Sequence, residues 1–328
     1  MKKNDKATPI VELKNFKKYY DVGGHRKLHA VDNINASIFA GTTLGVVGES
    51  GCGKTTLGRA MLKLIKPTSG EIIFEGVDIS ELTPKKMQPY RQSMQIIFQD
   101  PYSSLNPRKT IYESIASPLI VNKIFKNSKD VENRVHEMMK MVGLAERLVN
   151  SYPHELDGGR RQRVCIARAL VLKPKFIVCD EPVSALDVSI QAQILNLLMD
   201  LQDEMGLTYM FITHDLSVVK HISDEILVMY LGQCVEKAPS SELFKNPLHP
   251  YTKALLSAIP IADISSRNRK IQVVRGELTS PIDPEKGCRF APRCKYSQAG
   301  CLGKEIPLIE VEPNHYLACP YWEQAIDN

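Results

Sequence analysis

An α/β fold, a buried sheet core carrying a phosphate-binding loop, is what the sequence predicts, with a helical insert inside it and a small cysteine-bearing extension after it. Three observations predict it. Short β-branched and apolar runs alternate with amphipathic segments through residue 240. The strand pattern then lapses between residues 101 and 170, where only helical periodicity remains. Beyond residue 261 the periodicity weakens, and four of the eight cysteines crowd the last segment.

The strand candidates are residues 10–16 (IVELKNF), 43–49 (TLGVVGE), 70–76 (GEIIFEG), 93–99 (SMQIIFQ), 175–181 (KFIVCDE), 208–215 (TYMFITHD) and 225–232 (EILVMYLG). Within the insert, residues 130–142 place Val131, Val135, Met138 and Met139 on one helical face. Residues 190–205 do the same with Ile190, Ile194, Leu197, Leu198, Leu201 and Met205, a face for packing against the sheet. Glycine and proline thicken after Pro247, so a boundary is expected within residues 245–262. The expected division is a main domain over 1–260, with its insert at about 101–170, and an extension over 261–328.

Composition narrows the function classes. The chain has 328 residues, 43% hydrophobic and 24% charged, which is ordinary globular material. A net charge of +5 is far from the basic stripe of a nucleic-acid binder, so no nucleic-acid partner is expected. The N-terminal lysines lead into no apolar region of a secretory signal. No stretch approaches the ~18 unbroken apolar residues of a membrane span. A cytosolic chain is expected, and other subunits must cross any membrane it serves. In that compartment the cysteines point away from disulfides.

Two constellations carry chemistry. Gly48-Glu49-Ser50-Gly51-Cys52-Gly53-Lys54-Thr55-Thr56 fits G-x-x-x-x-G-K-[ST], placed after an apolar strand and before a helix. Its glycines let backbone N–H groups cradle phosphate oxygens beside a helix N-terminus. Lys54 is placed for the β- and γ-phosphates and the Thr55 hydroxyl for Mg²⁺. The second constellation, Phe176-Ile-Val-Cys-Asp180-Glu181, delivers two acids from the end of an apolar strand, where open α/β sheets bind ligands. Asp180 is read as a Mg²⁺ residue and Glu181 as the general base that polarises an attacking water.

Between these motifs, Leu156-Asp157-Gly158-Gly159-Arg160-Arg-Gln-Arg163 resembles the signature of the ABC ATPase family, normally Leu-Ser-Gly-Gly-Gln. Further family elements follow in order over residues 8–260. Gln99 matches the glutamine that joins Mg²⁺ and water to the helical insert. Ser184-Ala-Leu-Asp187 resembles the loop that communicates between two sites of a dimer. Thr213-His214-Asp215 supplies the histidine for the γ-phosphate. Tyr20 stands where the family places a ring on adenine, with Tyr19 and Phe16 as alternatives. The resemblance implies an ABC-type ATPase fold, ATP and Mg²⁺ as cofactors, and a head-to-tail dimer in which Asp157, Gly158, Gly159 and Arg160 complete the partner's ATP site. Asp157 departs from the family serine and Arg160 from its glutamine. A carboxylate facing a phosphate repels it, unless Arg160 or Arg161 neutralises the charge or the glycine amides suffice.

Leu248-His249-Pro250-Tyr251 resembles the tail motif of ABC importers of oligopeptides, dipeptides and nickel chelates. That likeness implies peptide import, or nickel-chelate import as the alternative, with a soluble ABC ATPase as a remoter reading. It implies a peripheral place on the cytoplasmic face of the cell membrane and two permease subunits. A related but different ATPase partner and, indirectly, an external substrate-binding protein complete the set. Cys288, Cys294, Cys301 and Cys319 suit a thiolate metal site. The resemblance favours a four-iron iron–sulfur cluster, with Zn²⁺ or four reduced thiols as alternatives. His315 is read as a surface or packing residue.

Overall fold

The computed structural model describes residues 8–259 and 280–325. In chain order the strands are β1 (Val11–Asp21), β2 (Lys27–Ile38), β3 (Thr43–Val47), β4 (Ser69–Phe74), β5 (Val77–Asp78), β6 (Met94–Ile97), β7 (Phe176–Asp180), β8 (Thr208–Ile212), β9 (Glu225–Tyr230), β10 (Gln233–Pro239), β11 (Ile309–Glu312) and β12 (His315–Leu317). The helices are α1 (Lys54–Met61), α2 (Pro84–Ser93), α3 (Pro101–Ser104), α4 (Ile111–Val121), α5 (Ser128–Met141), α6 (Gly158–Leu170), α7 (Val188–Met205), α8 (Leu216–Ile222), α9 (Ser240–Lys245) and α10 (Pro250–Ser257). All seven expected strands form. Four helices and no strand fill residues 101–170.

The chain divides into two compact units. The first comprises residues 1–38, 43–80 and 211–328, and the second residues 39–42 and 81–210. The first unit holds an antiparallel sheet of order β2-β1-β4-β5 and the run β11-β12-β10-β9-β3, in which β3 and β9 are parallel. β3 is buried at every position, as its unbroken TLGVV requires of a strand covered on both faces. β1 instead alternates at its start, burying Val11, Leu13 and Phe16.

The second unit pairs β6 and β7 in parallel, with Ile97 opposite Cys179. α5 buries the four residues its periodicity singles out, and α7 buries Ile194, Leu195, Leu198 and Leu201 before Gly206 ends it in the left-handed conformation. α4 starts on a reciprocal capping box: the Glu113 N–H donates to Thr110 Oγ1 at 3.2 Å, and the Thr110 N–H donates to Glu113 Oε2 at 2.8 Å.

The described part of the expected cysteine-bearing extension joins the first unit's sheet and core. β12 pairs antiparallel with β10 through Glu236–Leu317 and Lys237–Tyr316. Phe290 is buried in the first unit's core, with Cys288 and Cys294 packed against the same cluster. Strands of three and four residues bury too little surface to stand alone, so the segment borrows the sheet and core of the unit it joins. The division at residues 260 and 261 lies outside the described residues.

Candidate functional site

In the first unit, β3 runs into the phosphate loop and α1 runs out of it. Gly48 has φ 152°, and a Cβ there would stand 2.2 Å from the Met229 carbonyl oxygen. Gly53, at φ 104°, would set a Cβ 1.9 Å from the Ala30 carbonyl oxygen. Glycine is required at both places, because backbone rather than a flexible side chain occupies the space. Lys54 is buried, and its ammonium donates to the carbonyls of Gly48 at 2.8 Å and Glu49 at 3.0 Å. Thr55 and Thr56 are half-buried in the first turn of α1, Ser50 and Gly51 are exposed, and Cys52 is buried, which pushes its thiol pKa up. The Thr213 N–H donates to the Val46 carbonyl at 3.2 Å, bringing the end of β8 beside the root of the loop with the exposed His214 next in sequence.

The aromatic alternatives separate cleanly. Phe16 is fully buried. Tyr19 stacks on His29 at 3.9 Å and its hydroxyl donates to Asp32. Burial and the neighbouring Asp32 raise the Tyr19 pKa well above the usual phenol range. Tyr20 is half-buried and carries the Lys18 ammonium 4.5 Å from its ring centroid. Of the three rings it alone is neither in the core nor committed to Asp32.

In the second unit, parallel pairing of β6 and β7 brings the residues after both strands to one edge. Gln99 Nε2 donates to Glu181 Oε2 at 2.8 Å. Asp180 is almost fully buried at the end of β7. Glu181 has φ 47°, a left-handed backbone unusual outside glycine and set immediately before Pro182. Such strain gathers at sites whose side-chain direction matters. The Ser184 hydroxyl donates to the Glu181 carbonyl at 3.1 Å and ties the following loop to it.

The signature segment opens α6, and Asp157 is its N-cap. Asp157 Oδ1 accepts from the Arg160 N–H at 2.7 Å, while Oδ2 lies 3.5 Å from the Arg160 guanidinium. Arg161 is committed elsewhere, donating to the Pro153 carbonyl at 2.8 Å and covering the Tyr102 ring. Arg160 is therefore the arginine that faces Asp157. Gly158 and Gly159 leave room for Leu186 and Ile190, with a Cβ on Gly159 falling 2.8 Å from Ile190 Cγ2. Since aspartate caps a helix as well as serine does, Asp157→Ser is expected to leave the denaturation midpoint unchanged, and Asp157→Ala to cost ~1 kcal/mol. Urea unfolding of the three proteins checks this.

The cysteine expectation is corrected. Cys288, Cys294, Cys301 and Cys319 share one neighbourhood, and the Cys288 N–H donates to the Cys301 carbonyl at 2.8 Å. Among the described residues, however, no three His, Cys, Asp or Glu side chains converge as a metal ligand set. Burial, assisted by the other thiols, pushes Cys288 up to about 12 and Cys319 up to about 11, and burial raises Cys294 as well. As placed, these residues do not make up an iron–sulfur or zinc ligand set. His315 is a packing residue: it is buried, with Nε2 2.8 Å from the equally buried Glu236.

Sequence reading missed two contacts to the phosphate loop. The Glu49 N–H donates to the Tyr251 hydroxyl at 2.8 Å, and the Glu49 carboxylate pairs with Arg293 at 2.9 Å. These partners stand 202 and 244 residues away, beyond the reach of any spacing pattern.

The family described as ABC transporter matches residues 31–184, and that described as oligopeptide/dipeptide transporter, C-terminal region, matches residues 235–301. The oligopeptide transport ATP-binding protein OppF of Salmonella typhimurium is 50% identical over 319 residues, covering 94% of this chain and 95% of its own. The OppF protein of Escherichia coli is 52% identical over 295 residues, covering 90% and 88%. The dipeptide transport ATP-binding protein DppF of Haemophilus influenzae is 47% identical over 317 residues, covering 95% and 96%. Among solved structures, cbiO1 of Clostridium perfringens aligns with a TM-score of 0.65 at 30% identity, covering 73% of this chain and 92% of that one. A dimeric ATP-binding cassette, MJ0796 with ADP and Pi, aligns with a TM-score of 0.64 at 32% identity, covering 70% and 98%.

Proposed function

The chain belongs to the ATP-binding subunits of ABC transporters, in the oligopeptide and dipeptide branch, and from that premise we infer that it is an ATPase energising peptide import. The observation that carries this is the full-length likeness to peptide-transport subunits in a chain that keeps both the phosphate loop and the Gln99–Glu181 pair.

The roles follow from the chemistry of each side chain. Lys54 and the loop amides neutralise phosphate charge, and the Tyr20 ring offers a face to adenine. Thr55, Asp180 and Gln99 supply oxygen donors, the hard ligands that Mg²⁺ prefers, and the bound ion would offset charge on the phosphates. Glu181 accepts a proton from the attacking water, with Gln99 fixing the carboxylate's direction. His214 directs its imidazole at the γ-phosphate. Asp157, Gly158, Gly159 and Arg160 face the ATP of a second ATPase subunit, and closure of the pair excludes water.

Among the described residues no helix is long and apolar enough to cross a membrane. The likeness to peptide-transport ATP-binding subunits supports permease partners that carry the transport path, with this subunit docked at their cytoplasmic face. A related but different ATPase and two permease subunits complete the assembly, and an external binding protein selects the cargo. Reconstitution of the complex in vesicles tests the reading. Peptide-loaded binding protein is expected to stimulate ATP hydrolysis and drive peptide accumulation. Accumulation of a nickel chelate but no peptide would transfer the assignment to the nickel branch. Hydrolysis with no uptake of either would remove the transport role.

A further inference from the structure

The phosphate loop is gripped from outside its motif, and the grip converges on one residue. Glu49 is held at three groups. Its N–H donates to the Tyr251 hydroxyl at 2.8 Å, and its carboxylate pairs with Arg293 at 2.9 Å. Its carbonyl accepts from the Lys54 ammonium at 3.0 Å and from the Cys52 N–H at 3.2 Å. The orientation of this peptide therefore helps set where the phosphate-binding lysine sits.

The outer partners are rigid. Arg293 has a side chain only 9% exposed, and its Nη1 also lies 3.3 Å from the Tyr230 hydroxyl. Tyr230 and Tyr251 meet edge to face at 4.8 Å, and Phe290 closes the triangle at 5.3 Å and 5.4 Å. Both tyrosines are fully buried. The turn bearing Arg293 is pinned by the Ala291 N–H on the Cys288 carbonyl at 3.0 Å and the Cys294 N–H on the Ala291 carbonyl at 3.2 Å. A guanidinium locked in this way holds a carboxylate without losing the entropy that a free surface arginine loses.

We propose that Tyr251 and Arg293 are positioning residues for ATP: they fix Glu49, and through it Lys54 and the loop, so that the C-terminal segment sets nucleotide affinity. This rests on the reading of residues 48–56 as the nucleotide loop. It assigns the C-terminal segment a part in nucleotide binding that does not depend on metal.

The test uses the full-length chain titrated with MgATP, amide hydrogen exchange over residues 48–56, and hydrolysis in the assembled complex. Arg293→Met and Tyr251→Phe are each expected to weaken MgATP binding by about fivefold, ~1 kcal/mol at 1.4 kcal/mol per decade. The KM for ATP should rise in parallel while kcat at saturation holds. Arg293→Lys, which keeps a point charge, should recover part of the affinity. Combining Arg293→Met with Glu49→Gln should add nothing to either alone, as expected of partners in one contact. Both single variants should exchange their loop amides faster even without nucleotide. Unchanged affinity and unchanged exchange in both overturn the proposal. So does loss of binding together with the cooperative thermal transition in both Arg293 variants, which is what a merely structural residue produces. Failure of the native chain to bind MgATP would count against the nucleotide reading, while the exchange measurement still decides whether these residues position the loop.

Discussion

Replacing Glu181 by Gln is expected to lower ATP hydrolysis at this chain's site by about 100-fold to 10,000-fold, the range ascribed to a positioned general base, while ATP binding persists. The side chain is held for that task. Gln99 Nε2 donates to Glu181 Oε2 at 2.8 Å, and the left-handed backbone at φ 47° fixes the direction in which the side chain leaves the strand. A glutamine in its place still offers an amide oxygen to Gln99, so shape and contact survive. Basicity is lost. The measurement is single-turnover hydrolysis in the assembled complex, with the partner's own base already removed so that one site reports. Retained MgATP with hydrolysis near the native rate would falsify the assignment of Glu181 as the base. Loss of binding and turnover together would show that the substitution had damaged more than basicity.

Much of this arrangement is legible in the sequence because it is local. The expected strands announce themselves by continuous apolar runs or by alternation, and β3 and β7 are buried at every position while β1 alternates at its start. The phosphate loop declares itself through glycines at φ values that other residues resist, and through a lysine at fixed spacing. The pairing of Gln99 with Glu181 follows once β6 and β7 are parallel neighbours, since both residues then leave the same edge.

What escapes reading is set by tertiary neighbours. β10 is interrupted by polar residues, and Glu236 inside it is fully buried because it accepts from the N–H groups of Leu248 and His249 at 2.7 Å and 3.0 Å. No periodicity marks such a glutamate as interior. The crowding of four cysteines reads as a ligand set, yet among the described residues no three ligating side chains converge, and local spacing does not show how the turns orient each thiol. Asp157 reads as an intruder in a signature. Its position at the first residue before α6 makes it a helix cap, a role that needs the helix boundary to be known.

Gly53→Ala is expected to weaken MgATP binding by about tenfold to 100-fold, the loss of about 1.5–3 kcal/mol that goes with a displaced charge-assisted hydrogen bond to phosphate. The cause is steric and specific. A Cβ at Gly53 falls 1.9 Å from the Ala30 carbonyl oxygen and 3.1 Å from the carbon behind it, and Ala30 belongs to β2, whose backbone is fixed by pairing with β1. The loop must yield instead of the strand, and it carries Lys54 with it as the next residue. Gly51→Ala separates this from conformational strain alone. Gly51 also has a positive φ, 79°, but nothing lies within 4 Å of a Cβ built there. That variant pays only for the left-handed backbone, about 1–3 kcal/mol of stability, with a smaller effect on ATP. Isothermal titration with MgATP and thermal melts in its absence measure the two quantities independently. Equal affinity in the Gly53 and Gly51 variants would mean that the contact with Ala30 does not govern the loop. A large loss confined to Gly53→Ala, in a protein that still melts cooperatively, ties nucleotide affinity to the close approach of the loop and β2.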